Sequence, residues 1–251
     1  MTLIMTKTGG SGNLTMSIVG SAGTFVGSIN VPPPTGTLVT SPSLTGSVSI
    51  VAQSPFSGGG NSYSLPASAT SYVYVPGQAG YAFGTGDFTI EWFQYETDTN
   101  SFPRVFWYGS SPSIGVSIES GTFYVWSPSF TSLKTGLSQK NVWHHFAIVR
   151  ISGKAYLYYD GVIQNAGGTT YTANITDTTS QFAWGAKPGG LTTEQYGGYV
   201  TNVRIVKQLG VYTGNFTVPT SALTAISAAN PYGGSNTLAV PSGYAMLLLT
   251  P

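Results

Sequence analysis

The residues that could do chemistry are few enough to weigh singly: eight Asp or Glu, two His and no Cys in 251 residues. Hydrolysis of a glycosidic bond needs two carboxyls about 5 to 5.5 Å apart, or about 6.5 to 9.5 Å with a water between them. Asp87 and Glu91 share a face if both lie in one strand, but four residues at about 3.3 Å each hold their α-carbons about 13 Å apart. Glu96 and Asp98 have the alternate spacing, yet ETDTNS reads as a solvated loop leaving the strand. Acids paired along one strand are absent, so the reading assigns no catalytic residue and expects no enzyme.

His144 and His145 are adjacent, and adjacent strand residues point to opposite faces, so they cannot close on one ion. One is expected inward and hydrogen-bonded, the other toward solvent. A Ser-His-Asp triad can assemble from distant positions, but no G-x-S-x-G elbow supports one here. A hard cation needs several oxygen ligands. Asp98, Asp160 and Asp177 fall in loops and Asn141, Asn165 and Asn174 could add carbonyls, but no D-x-D cluster marks a calcium site and Asp160 is explained by its turn. The metal ligands are therefore left unassigned and no cofactor is expected, with calcium as the open alternative.

Sugar recognition pairs an exposed ring with a few convergent polar groups. Trp107, Tyr108, Trp126, Tyr196 and Tyr199 lie near presumed loops or strand ends. Five Trp and sixteen Tyr must mostly fill a core, however, so packing is the expected role of each.

The elements that must position these residues are short strands. Charged residues make up 7% of the chain, against roughly 25% in an ordinary soluble domain. Gly, at 33 residues, is about double its usual share, which favours many turns over long helices. From Phe56 onward come SYVYVPG, DFTIEWFQYE, RVFWYG, IGVSIESGTFYVWS, WHHFAIVRI, KAYLYYDG, SQFAWGA, YVTNVRIVK and YAMLLLT, each bounded by turn residues. Nine or more such strands imply an all-β fold of two antiparallel sheets packed face to face, or a related barrel. Asp160-Gly161 suits a two-residue type I′ hairpin.

Residues 1–52 differ. They contain one aromatic, Phe25, and one charge, Lys7, among many Ser, Thr, Val and Gly. Pieces such as LTMSIVG and TFVGSINV read as strands with little to bury, separated by the Pro32-Pro33-Pro34 run. The segment reads as a β-rich arm or small anchoring module, with a disordered linker as the alternative; 53–251 forms the sandwich.

Nine basic and eight acidic residues are scattered singly, for a net charge of +1. No basic cluster follows a phosphate backbone, so nucleic acid is not expected as a partner. No run reaches 18 apolar residues, so no membrane span is expected. MTLIMTKTGG lacks the basic and apolar regions of a secretory signal, and the sequons at Asn13, Asn174 and Asn215 read as coincidence in an Asn- and Thr-rich chain. Without cysteine there is no disulfide framework.

Four segments together carry a resemblance. FGTGDFTIEWF (83–93), NVWHHFAIVRISGKAYLYYDGV (141–162), ITDTTSQFAWGA (175–186) and GGYVTNVRIVKQLGVYTGNFTVPTSALTA (197–225) resemble, in order and spacing, the laminin-G-like branch of the concanavalin A-like lectin/glucanase superfamily. The resemblance covers 56–249 and implies a jelly-roll sandwich. It implies that Trp143 packs, that FAIVR and YLYYDG form a central hairpin, and that GYVTNVRIVK is a late strand followed by a loop returning Tyr212 and Phe216 to the scaffold before Pro219. The final module, in which an IVK strand leads into LGVYTGNFTVP, is similar to versions in virion proteins of bacterial and algal viruses, including tail fibres and surface proteins.

These expectations converge on a non-enzymatic virion structural protein, a capsid decoration or fibre subunit anchored through its first 52 residues. Its partners would be other virion proteins, or copies of itself in a homo-oligomer, on the virion surface. The alternative is a carbohydrate-binding adhesin for host glycans, because a fold does not fix a function.

Overall fold

The computed structural model describes residues 2–7, 13–20, 23–30, 33–97, 102–109, 113–127, 129–136, 140–187 and 194–251. Three strands open the chain: β1 (Thr2–Lys7), β2 (Asn13–Gly20) and β3 (Gly23–Asn30). They form a three-stranded antiparallel sheet of their own. Its register places Leu3 opposite Ile18, Met5 opposite Met16 and Ile18 opposite Phe25, so apolar positions align across all three strands.

The chain continues through β4 (Ser43–Leu44), β5 (Ser49–Val51), β6 (Ser62–Pro66) and β7 (Val73–Val75). A single 3-10 turn, Ala79–Tyr81, precedes β8 (Phe88–Glu96). Next come β9 (Arg104–Tyr108), β10 (Ile114–Glu119), β11 (Thr122–Ser127) and β12 (Ser129–Thr135). The hairpin of β13 (Trp143–Ile151) and β14 (Lys154–Tyr159) leads to the short β15 (Val162–Ile163) and β16 (Thr169–Thr170). Last are β17 (Phe182–Trp184), the long β18 (Gly197–Lys207) and β19 (Ala245–Leu249).

These strands build the two sheets of a jelly-roll sandwich. One has seven strands in the order β12-β11-β10-β9-β17-β7-β4. The other has nine, β15-β14-β13-β8-β18-β6-β5, with β16 on β14 and β19 on β18. The β13–β14 hairpin thus lies toward one side of its sheet, and β8 holds the centre.

Strand alternation explains the core. Phe88, Ile90 and Trp92 of β8 and Phe146 and Ile148 of β13 meet Phe106, Phe123, Phe182 and Trp184 from the seven-stranded sheet. Trp92 stacks on Phe146 at 5.7 Å and meets Phe106 edge-on at 5.3 Å. Arg150 points into the same core and donates to the carbonyls of Gly84, Gly86 and Ala173. Three acceptors replace its lost hydration, as a buried cation requires.

The boundary drawn at 52 does not coincide with strand pairing. β4 pairs with β7, β5 pairs with β6, and Val39 bridges Leu247, so residues 39–51 belong to the sandwich. Composition concealed this because β4 and β5 lie at sheet edges, half-buried or exposed, where no large side chain is needed.

Candidate functional site

On the outer face of the seven-stranded sheet, two tryptophans, an arginine and two carboxylates converge. Trp107 of β9 and Trp126 of β11 are both in register with Gly115 of β10. A β-carbon on Gly115 would come within 2.7 Å of the Trp107 ring, so glycine lets the indole lie over the strand. The two indoles stand 6.1 Å apart.

Arg104 reaches this face through a bulge. The β9–β10 register shifts between Val116 and Ser117, so that Val116 faces Phe106 while Ser117 faces Arg104. The extra residue brings Arg104 and Trp107, three positions apart, to the same side. The guanidinium lies 5.5 Å from the Trp107 ring and 5.1 Å from the Trp126 ring, a cation–π arrangement. Its Nη1 is ion-paired with Glu119 and its Nη2 with Glu194 at 2.8 Å. Ser117 accepts from Trp126 Nε1 and donates to Glu119, each at 2.8 Å. Lys187 Nζ lies 5.1 Å from the Trp107 ring. Among the described residues, the buried Arg104 Nε and Trp107 Nε1 have no hydrogen-bond acceptor. Trp107 is itself buried, so the open surface here is the half-buried Trp126 ring beside the Glu119 and Glu194 carboxylates, which suits a ligand that carries both CH surface and hydroxyl donors.

The structure distributes the other candidates differently from the expectations. Trp107, Trp126 and Arg104 come together, whereas Tyr108 and Tyr196 are fully buried in the core. Tyr199 lies on the outer face of the other sheet, half-buried, beside Tyr95 at 5.6 Å. Trp143 is also half-buried on that outer face, not packed in the core. Glu119 and Glu194 are carboxylate neighbours that a search along single strands missed, because they lie 75 residues apart in sequence and meet only through Arg104.

Both histidines are buried, so neither faces solvent. They do point to opposite faces, but each face of the nine-stranded sheet is covered at this point. His144 bonds through Nδ1 to Asp160 at 2.7 Å and through Nε2 to Tyr159 at 2.9 Å. His145 Nε2 bonds to Glu91 at 3.1 Å. Glu91 also takes Arg204 Nε at 2.8 Å and the Tyr212 hydroxyl at 2.6 Å. Burial alone would raise the Glu91 carboxyl, but the charge of Arg204 and the hydrogen bonds from His145 and Tyr212 hold it down at about 2.

Glu96 is the last residue of β8, buried and paired with Lys140 at 3.4 Å, rather than part of a solvated loop. Asp98 lies outside the described residues. Asp87 precedes β8 and accepts from the Ser152 backbone. Asp177 accepts from the Thr179 and Ser180 backbones, and Asn165 ties Leu157 to Ala155. Asn141 takes a left-handed φ of 62° beside β13. Among the described residues no three Asp, Glu or His gather as a metal centre would require.

A family model described as the concanavalin A-like lectin/glucanases superfamily matches residues 66–209. No curated protein matches the chain. Among solved structures it is similar to full-length tailspike protein 2 from an Escherichia coli O157:H7 bacteriophage, at 14% identity and a TM-score of 0.55, covering 86% of this chain and 30% of that one. The enzymatically active domain of bacteriophage CBA120 tailspike protein 2 gives 13%, 0.55, 86% and 34%. The chain thus spans about a third of each tailspike structure. Domain 4 of AbnA, a GH43 extracellular arabinanase from Geobacillus stearothermophilus, in complex with arabinotriose, is similar at 18% identity and a TM-score of 0.48, covering 64% and 75%. At such identities the likeness is one of fold.

Proposed function

The chain belongs to the concanavalin A-like lectin/glucanases superfamily, and from that premise we propose that it is a non-enzymatic, glycan-recognising surface protein of a virion. The observation that carries the proposal is the Trp107–Trp126 pair with Arg104 held between Glu119 and Glu194. The half-buried Trp126 ring can stack on the CH face of a sugar, while Glu119 and Glu194 accept from its hydroxyls.

The same arrangement supports binding over hydrolysis. A glycosidase acid must give up a proton to the leaving oxygen. Here both carboxylates are engaged by one guanidinium, as acceptors. The buried Glu91 is likewise occupied by three donors and lies beneath Tyr212.

The virion setting is supported by the fold likeness to phage tailspikes over most of the chain, and by a low-charge surface better suited to a protein held among neighbours than to a free monomer. The N-terminal sheet serves as the anchor, joining other virion proteins or further copies of the chain.

The test is a glycan array probed with the native chain and with Trp126→Ala. Binding of a defined glycan set, weakened about tenfold or more by the substitution, is expected. Array binding that survives Trp126→Ala unchanged would remove this site from the account.

A further inference from the structure

The outer face of the nine-stranded sheet is covered at one end and open at the other. Four rows cross β13, β8 and β18: Val149–Thr89–Val206, Ala147–Glu91–Arg204, His145–Phe93–Thr201 and Trp143–Tyr95–Tyr199. A bulge in β18 makes the rows continuous. Thr201 and Arg204 are three apart, yet they face Phe93 and Glu91, which are two apart.

The segment between β18 and β19 covers the first two rows and, through Tyr212 and Phe216, the His145 ring of the third. Val211, Tyr212, Phe216, Val240 and Tyr244 pack on Ala147, Val149 and Val206, and Thr89 Oγ1 straps the segment down through Leu209 and Val211. Past Pro219 the segment stays tied to β18 through the Leu223 N–H on Asn202 Oδ1 and Arg204 Nη1 on the Thr224 carbonyl. Beside Val218 and Pro219 lies a cleft of about 340 Å3, walled by Phe56, Phe93, Trp143, His145, Asp160 and Thr220. The half-buried rings of Trp143, Tyr95 and Tyr199, 5.6 to 6.4 Å apart, continue its floor.

Hydrogen bonding fixes the polarity of this cleft. The Glu91 carboxylate only accepts, so His145 Nε2 must be the donor of their bond. His145 has no exposed surface, and its Nδ1 has no partner among the described residues. In the neutral ring that nitrogen is an acceptor. The Asp160 carboxylate is fixed by the His145 N–H at 2.8 Å and by His144, yet its side chain is 41% exposed and keeps further lone pairs for a ligand. Among the described residues no Lys or Arg lines the cleft.

We propose that this cleft is a second ligand site, on the sheet face away from Trp107 and Trp126, for a neutral sugar ring. The proposal rests on the reading of the chain as glycan-recognising and adds a place and a charge class. Hydroxyls donate to Asp160 and the CH face of the ring lies on Trp143, with the buried His145 in the cleft wall sensing the occupied site. A carboxylated or phosphorylated sugar meets the Asp160 charge with no cation to offset it. The cleft volume falls within the range of small-molecule sites, about 300 to 1,000 Å3.

The chain has only two histidines, so imidazole nitrogen NMR on histidine-labelled protein reads the site directly. The probes are maltotriose, cellotriose and N-acetylchitotriose, with sialyllactose as the anionic arm. His145 Nδ1 is expected to shift on saturation with at least one neutral trisaccharide and not with sialyllactose, while His144, with both nitrogens paired, stays in place. Trp143→Ala, a half-buried substitution whose fold the amide spectrum verifies, should weaken that response about tenfold or more. A His145 signal unmoved by every neutral probe, or a response to sialyllactose alone, overturns the proposal. Binding removed by Trp126→Ala and spared by Trp143→Ala would keep the first site and overturn the second. Absence of all sugar binding would overturn both.

Discussion

Glu91 has no exposed surface and sits between Arg204, His145 and Tyr212 on the covered half of its sheet. Removing one partner of a buried ion pair leaves the other uncompensated, at a cost of about 3 to 5 kcal/mol. Glu91→Ala should lower stability by that amount in urea unfolding. Because its carboxyl is held down at about 2 from an ordinary value of 4.5, the stability that Glu91 contributes is fully present above 4.5 and is lost as pH falls through that window toward 2. The native chain should lose stability over this range, and Glu91→Gln should show a flatter profile. Sequence placed Glu91 on its strand but could not name its partner. Arg204 lies 113 residues away, and the β18 bulge that aligns the two is not written in any local pattern.

At the scale of elements, the three N-terminal strands pair only with one another, while β4, β5 and Val39 pair into the sandwich. Removal of residues 1–32 should leave the melting transition of the sandwich within a few degrees of the intact chain and abolish assembly, measured by light scattering. Removal through residue 52 should also destabilise the sandwich, since both sheets lose a strand. Retained assembly without residues 1–32 would contradict the anchoring role. Strand alternation and turn chemistry made most of the remaining elements legible. Asp160 and Gly161 have φ of 47° and 75°, as the Asp-Gly pair indicates for a type I′ turn. Edge strands were not legible, because Ser43–Leu44 and Ser49–Val51 bury too little to leave a hydrophobic pattern.

For the whole molecule, the sandwich could be read from recurring aromatic strands and from four segments in family order, and its two sheets follow. The sites could be read only in part. Trp107 and Trp126 were visible as aromatics, but their neighbour Arg104 reaches them through a bulge, and Glu194 is brought in from a distant segment. On the other face, the cleft lies where Val218, Pro219 and Thr220 pass Phe93, Trp143 and His145, residues distant from one another in sequence. The central claim is that the sandwich holds glycans without cleaving them. The most direct measurement is to incubate the intact chain with its array-selected glycan, isolate the complex and weigh the recovered sugar by mass spectrometry. Recovery of saturably bound glycan at unchanged mass is the predicted result; a shortened sugar, or none retained, would contradict it.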